Sequence, residues 1–131
     1  MKGFVDSIEH LTEHNDDFRR VVYTGTYCQL VLMSLKPGEE IGVEVHATVD
    51  QFFRVEEGSA AVVIDGVRSD VGSGSAFIVP AGANHNVINT GNEPLKLYTI
   101  YSPPNHRDGT VHRTRAQAEM DDEHFDGRTT E

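Results

Sequence analysis

Turn signals recur about every eight residues from position 24 to position 104, and they divide most of the chain into short apolar runs. The runs are rich in Val, Ile, Leu, Phe and Tyr, and we expect strands over 20–24, 27–35, 51–57, 60–65, 75–79, 85–89 and 95–101. Asp65-Gly66, between two such runs, is the residue pair that a two-residue hairpin prefers. Short, closely spaced strands joined by turns predict an antiparallel sandwich or barrel.

Helix signals are confined to the two ends of the chain. Ile8 and Leu11 share one face of a short helix expected within 7–14. Thr114 and Gln117 fit a capping box that opens a second short helix over 115–120. The stretch that follows, 121–127, is acidic, and we expect it to be a solvated end.

Charge and cysteine content exclude several classes of partner and setting. Eleven Lys and Arg against 21 Asp and Glu give a formal net charge of -10, which disfavours nucleic acid, anionic membrane surfaces and multiply charged anionic substrates. Cys28 is the single cysteine, so an intrachain disulfide is excluded and a reducing, cytoplasmic setting is expected. Acids appear too early for a signal peptide, and no apolar run reaches the length of a membrane span.

One stretch, 41–46, alternates strictly between apolar and other residues. Ile41, Val43 and Val45 share one face, whereas Gly42, Glu44 and His46 share the other. Taken alone, this pattern predicts an ordinary strand with its apolar face in the core.

Two sets of fixed spacings change that interpretation. The first set, over 44–58, reads Glu-x-His, four residues, Gln, six residues and Gly. The second set, over 74–89, reads Gly, five residues, Pro-x-Gly, two residues, His, three residues and Asn. These spacings resemble the two signature motifs of the cupin superfamily. The second motif is complete and the first is partial, with a Glu at the position of the usual first His and a Gln at that of the usual Glu. The matching residues are Glu44, His46, Gln51 and Gly58, then Gly74, Pro80, Gly82, His85 and Asn89.

The resemblance implies an all-β fold, a single double-stranded β-helix or jelly-roll barrel with short terminal helices. One domain would occupy 1–131, with the core barrel at about 20–102 and a C-terminal loop, short helix and acidic tail at 103–131. In a cupin the face with Glu44 and His46 looks into the barrel, which leaves Ile41, Val43 and Val45 outside. Because such an aliphatic face is rarely left wet, we expect a homodimer, as cupins commonly form.

The resemblance also implies a metal site. Cupins usually hold a divalent ion with three His and one Glu, and the same positions here carry Glu44, His46, Gln51 and His85. Two His and one carboxylate suit Fe(II), with Mn, Ni and Zn also open. Gln51 is expected to be a weak carbonyl ligand or a hydrogen-bond donor to another ligand. Phe53 shares the face of Gln51 and is expected to line a substrate pocket, whereas Arg54 points outward.

Cupins host several activities, so the sequence leaves more than one function open. The first is a metal-dependent enzyme on a small oxygenated substrate such as a sugar, similar to single-domain cupins labelled mannose-6-phosphate isomerase-like. There the metal would be a Lewis acid, and Glu44, if it is not a ligand, would move a proton. The alternatives are a non-haem Fe(II) dioxygenase and a non-catalytic cupin that binds a small ligand. His106 and His112 are expected in a surface loop after the last strand. The sequence leaves open the alternative that this loop folds over the barrel mouth as a lid or supplies a proton-transfer group.

Overall fold

The computed structural model describes all 131 residues as two antiparallel β-sheets with a short helix at each end of the chain. Its elements, in chain order, are α1 (Ile8–Glu13), β1 (Arg19–Thr24), β2 (Gln29–Leu35), β3 (Glu44–Val45), β4 (Asp50–Glu57), β5 (Ser59–Ile64), β6 (Val67–Gly72), β7 (Ala76–Val79), β8 (Asn84–Asn89), β9 (Leu95–Ser102), β10 (Val111–His112) and α2 (Arg115–Met120). Neither helix is long and apolar enough to span a bilayer.

Strand order shows the jelly-roll topology. One sheet has six strands in the order β10-β1-β2-β9-β4-β7, and the other has four in the order β3-β8-β5-β6. Asp65 and Gly66 join β5 to β6 with φ values of 46° and 80°, the positive angles that the tight hairpin needs. The predicted all-β jelly-roll fold is confirmed. The strand expected from residue 27 begins at Gln29, and Cys28 lies exposed in the turn before it.

The core lies between the sheets and consists of a cluster of 16 buried apolar residues. Alternation in β4 turns Gln51, Phe53 and Val55 inward, and alternation in β9 does the same for Leu97 and Tyr101. The two strands are adjacent, with Gln51 paired to Tyr101. Polar and aromatic side chains are therefore brought together at one end of an otherwise aliphatic core.

The stretch 41–46 departs from the regular strand that its pattern predicts. Only Glu44–Val45 forms a strand, because Gly42 takes a φ of 100° and breaks the alternation. Val43 and Val45 are 69% and 55% exposed, as expected, but Ile41 is 9% exposed and packs in the core cluster. The prediction that Ile41 lies outside with the two valines is wrong, since the turn at Gly42 reverses its side.

The C-terminal segment is held against the barrel. β10 pairs with β1 and extends the six-stranded sheet beyond residue 102. The backbone N–H of Phe125 donates to the carbonyl of Asn105 at 3.0 Å, and that of Thr130 donates to the carbonyl of Thr24 at 2.9 Å. Most residues over 121–127 are exposed, as expected of a solvated end, but the Glu123 side chain is buried against His106, and Asp121 accepts a hydrogen bond from His112.

Candidate metal centre

Three of the four predicted ligands lie together at one end of the barrel. β3 pairs with β8 so that Glu44 stands opposite His85, and His46 follows two residues after Glu44. Each residue offers a ligand atom within 4.8 Å of the other two. Nε2 of His46 lies 3.2 Å from Oε2 of Glu44, and Nε2 of His85 lies 4.0 Å from the same oxygen. One ion could therefore contact all three side chains after small rotations.

His85 is the most informative member of this cluster. Its side chain is 1% exposed, and neither ring nitrogen has a hydrogen-bond partner. Burial lowers the pKa of His85, although the charge of Glu44 acts in the opposite direction, so the ring is neutral near pH 7. A buried polar atom without a partner is costly, and a neutral imidazole is the form that binds metals. The donor set thus fits a divalent ion.

Glu44 supplies the carboxylate. Burial acts to raise the pKa of Glu44, but the hydrogen bond from His46 and the nearby charges of His46, Arg19 and His85 outweigh it, so the pKa lies below its usual range. Glu44 is consequently an anion near neutral pH. It is also half-exposed, so it forms the side from which a small molecule can approach.

Gln51 is buried on β4 and is paired in register with Tyr101 of β9. Its Nε2 donates to Oγ1 of Thr99 at 2.9 Å, and that hydroxyl donates to the carbonyl of Phe52 at 2.9 Å. The amide oxygen of Gln51 is buried and has no partner. The fixed amide group therefore keeps one acceptor free.

Phe53 lies behind His85. Its ring stacks on Phe77 with centroids 4.6 Å apart and meets the His85 ring edge at 6.2 Å. It is fully buried, so in this conformation it supports the imidazole. Arg54 points outward and pairs with Glu56 at 3.4 Å, as the strand alternation predicts.

A second group of polar side chains lies beside the cluster and consists of Tyr101 of β9 with His106 and Glu123 of the C-terminal segment. Tyr101 is buried with its ring 5.8 Å from that of His46, and its hydroxyl lies 3.1 Å from Nε2 of His106. Nδ1 of His106 contacts Oε1 of Glu123 at 2.5 Å, and Oε2 of Glu123 accepts the Arg107 N–H at 2.7 Å. His106 and His112 are both buried, so the prediction of a surface loop is wrong for them.

The protonation states along this chain follow from the hydrogen bonds. Burial acts to raise the pKa of Glu123, but the hydrogen bonds from His106 and Arg107 overcome it and lower the pKa to about 2. Burial lowers the pKa of His106 and raises that of Tyr101, so both are uncharged at pH 7. A carboxylate only accepts, so Nδ1 of His106 donates to Glu123, and Nε2 accepts the hydroxyl proton of Tyr101.

Replacement of Glu123 by Gln is expected to destabilise the protein by about 1.5–3 kcal/mol, the usual contribution of hydrogen bonds to a charged group. Because the pKa of Glu123 is lowered from 4.5 to about 2, its stabilisation is complete above pH 4.5 and is lost as the pH falls toward 2. Urea unfolding between pH 2 and 7 would measure both effects. Asp122→Asn, at the exposed neighbouring position, is the control. Equal acid sensitivity in Glu123→Gln and the wild type would contradict this role.

The chain is similar to several known proteins. A family model described as a cupin domain matches residues 31–101. The uncharacterized protein YrkC of Bacillus subtilis is 50% identical over 123 residues, which are 89% of this chain and 66% of YrkC, so the chain spans just under two thirds of that relative. The crystal structure of BH2720 from Bacillus halodurans has a TM-score of 0.90 at 47% identity and covers 92% of this chain and 96% of its own. Mannose-1-phosphate guanylyltransferase of Escherichia coli is 30% identical over 112 residues, which are 78% of this chain but 23% of that enzyme.

Proposed function

The chain belongs to the cupin domain family, and from that premise we propose that it is a metal-dependent enzyme acting on a small oxygenated substrate. The observation that carries the proposal is the cluster of Glu44, His46 and His85, in which both buried nitrogens of His85 lack partners. Fe, Mn, Ni and Zn are the candidate ions. When bound, such an ion would supply a Lewis acid toward substrate oxygens.

Different roles are proposed for Glu44 and Tyr101, the side chains at the outer and inner sides of the cluster. Glu44 is anionic and half-exposed, so it is the group placed to take a proton from a substrate carbon if it is not itself a ligand. Tyr101 is buried with its ring against that of His46, and its hydroxyl is hydrogen-bonded to His106. Its ring therefore excludes water from the inner side of the site. Both roles suit an isomerase that shifts a proton between adjacent carbons of a sugar or polyol. The sugar-phosphate name of the guanylyltransferase relative supports sugars as a class, whereas the net charge of -10 weighs against a phosphorylated one.

A non-haem Fe(II) dioxygenase is the second candidate, favoured by the ligand set of two His and one carboxylate. A non-catalytic cupin that binds a small ligand is the third, and Gln51 in place of a carboxylate favours it. The deciding experiment strips the protein with a chelator and measures affinity for Fe(II), Mn, Ni and Zn by calorimetry. Proton exchange into sugars, followed by NMR, and oxygen consumption with Fe(II) then separate the two enzymes. No affinity for any of the four ions would contradict both.

Gln51→Ala is expected to weaken metal affinity by roughly 10–100-fold, as the loss of a group that contacts or orients a ligand does. We expect this role because the amide oxygen of Gln51 is buried without a hydrogen-bond partner, while the amide nitrogen is fixed by its hydrogen bond to Thr99. Calorimetric titration of both proteins measures the change. Gln51→Glu, which restores the acid usual at this position in cupins, should bind the metal at least as tightly as the wild type. Unchanged affinity in Gln51→Ala would remove Gln51 from the site.

We also propose a homodimer. Val45 lies exposed on β3, a two-residue strand at the edge of the four-stranded sheet, and Val43 lies exposed just before it. An edge of this kind has unpaired backbone groups. Sedimentation of the wild type should give twice the monomer mass, and Val43→Asp should give the monomer. A monomeric wild type at micromolar concentration would contradict the proposal.

A further inference from the structure

A small cavity opens beside the candidate metal centre. Its volume is about 130 Å³, and it lies between the start of β1, the 41–44 segment and α2. Its lining residues are Phe18, Arg19, Ile41, Glu44, Arg115, Ala118 and Glu119. Because Glu44 belongs both to this lining and to the metal cluster, a molecule in the cavity would be adjacent to the centre.

Arg19 is the unusual member of this lining. It is 7% exposed, yet it takes part in no ion pair, and its Nε has no hydrogen-bond partner. Its guanidinium lies 5.4 Å from the Phe18 ring, and Nη1 donates to Nδ1 of His112 at 3.2 Å. Nε2 of His112 donates in turn to Asp121 at 2.9 Å, which holds the imidazole in place. A buried charge is costly unless an opposite charge compensates it. Glu44 and Glu123 are near enough for their charges to act on Arg19, but neither carboxylate forms an ion pair with it, so the guanidinium is free to pair with an added carboxylate.

Arg115 brings a second guanidinium to the cavity from α2. It pairs with Glu119 at 3.0 Å, and its Nη2 lies so close to Gly42 that a side chain there would meet it at 3.2 Å. Gly42 therefore leaves room for this arginine. Two arginines and two carboxylates, Glu44 and Glu119, balance in charge along the lining. A divalent ion held by Glu44 would leave an excess of positive charge, which an anion would neutralise.

We infer that this cavity binds the carboxylate of a small organic acid, with Arg19 as the pairing group and the acid's remaining oxygens directed toward the metal centre. The planar guanidinium matches a carboxylate in two parallel hydrogen bonds. A cavity of about 150 Å³ holds a benzene ring, so this one accommodates roughly four to six non-hydrogen atoms, which is smaller than a hexose. The inference rests on the proposed metal-dependent function and narrows its substrate class.

The test is calorimetric titration of the full chain with glycolate, whose hydroxyl is next to its carboxylate, and with glycolamide, its neutral counterpart. Glycolate should bind the metal-loaded wild type, and glycolamide should not. Arg19→Gln should weaken glycolate binding roughly 10–100-fold, the loss of a charge-assisted pair. Arg20→Gln, at the neighbouring position where the side chain is exposed and pairs with Asp17, should leave it unchanged. If Arg19→Gln does not fold, Arg115→Gln on the surface helix replaces it, with an expected loss of roughly 2–5-fold.

Equal glycolate affinity in the folded arginine variant and the wild type would overturn the inference, and so would equal binding of glycolamide. Inorganic phosphate binding in place of glycolate would overturn the choice of a carboxylate. Metal content is measured separately in every sample. Metal binding without glycolate binding would refute this inference and leave the proposed function standing. Arginine-dependent glycolate binding in a protein that takes up no metal would refute the proposed metal-dependent function and leave the carboxylate site standing.

Discussion

His85→Ala is expected to abolish divalent-metal binding, with a loss of affinity larger than the roughly 100-fold that follows removal of an outer hydrogen-bond partner. His85 is the buried member of the cluster, is neutral near pH 7 and has two nitrogens without partners. The remaining two residues, Glu44 on β3 and His46 directly after it, are two positions apart in the chain and would contact an ion from one side only. Calorimetry with each ion, and metal analysis of the purified protein, measure the effect.

His46→Ala should have the same effect, since it too removes one of only two imidazoles. His124→Ala is the control, because His124 is exposed and lies outside the cluster. Circular dichroism and thermal unfolding of the metal-free proteins would show that the variants still fold. Stoichiometric metal retained in folded His85→Ala would refute the site, and with it the function proposed from the cluster.

Phe53→Ala is expected to lower the free energy of unfolding by about 3–5 kcal/mol, the usual cost of removing a buried aromatic ring. Phe53 is fully buried, belongs to the core cluster and stacks on Phe77. Its ring edge also supports His85, so metal affinity should fall together with stability. Urea unfolding of the metal-free protein measures the first effect, and titration of the folded variant measures the second.

Phe52→Ala is the matched control for this substitution. Phe52 is the preceding residue of β4, is half-buried and meets Tyr98 at a centroid distance of 6.2 Å. An aromatic pair of this kind contributes about 0.5–1.5 kcal/mol beyond its buried area, so a smaller loss is expected, without an effect on metal binding. Equal losses from both substitutions would contradict the placement of Phe53 at the centre of the core.

Much of the fold could be predicted because its determinants are local. Alternation over 51–57 is a property of consecutive residues, and it places Gln51 and Phe53 on the inward face of β4. Asp65-Gly66 prefers its turn whatever surrounds it. The Pro80-x-Gly82 turn and the spacing to His85 likewise locate β8 opposite Glu44 once the family is identified. Three of the four predicted ligand positions meet for this reason.

The exceptions arise where a distant contact overrides a local pattern. Ile41 shares the parity of Val43 and Val45, but the positive φ of Gly42 turns it into the core. Residues 121–127 look like an acidic end, but Glu123 is buried against His106, 17 positions earlier in the chain. No spacing rule joins these two residues, because the segment between them contains a short strand, a short helix and turns and so has no single period.

The spacing of turns, apolar residues and metal-ligand types along the chain was sufficient to predict the jelly-roll barrel and the positions of Glu44, His46 and His85. Tertiary structure alone decided how these groups are charged and what surrounds them. Burial lowers the pKa of His85, the C-terminal segment brings His106 and Glu123 to Tyr101, and Arg19 is buried without an ion-pair partner. Such properties depend on desolvation and on contacts between residues far apart in sequence, and local periodicity carries no information about either.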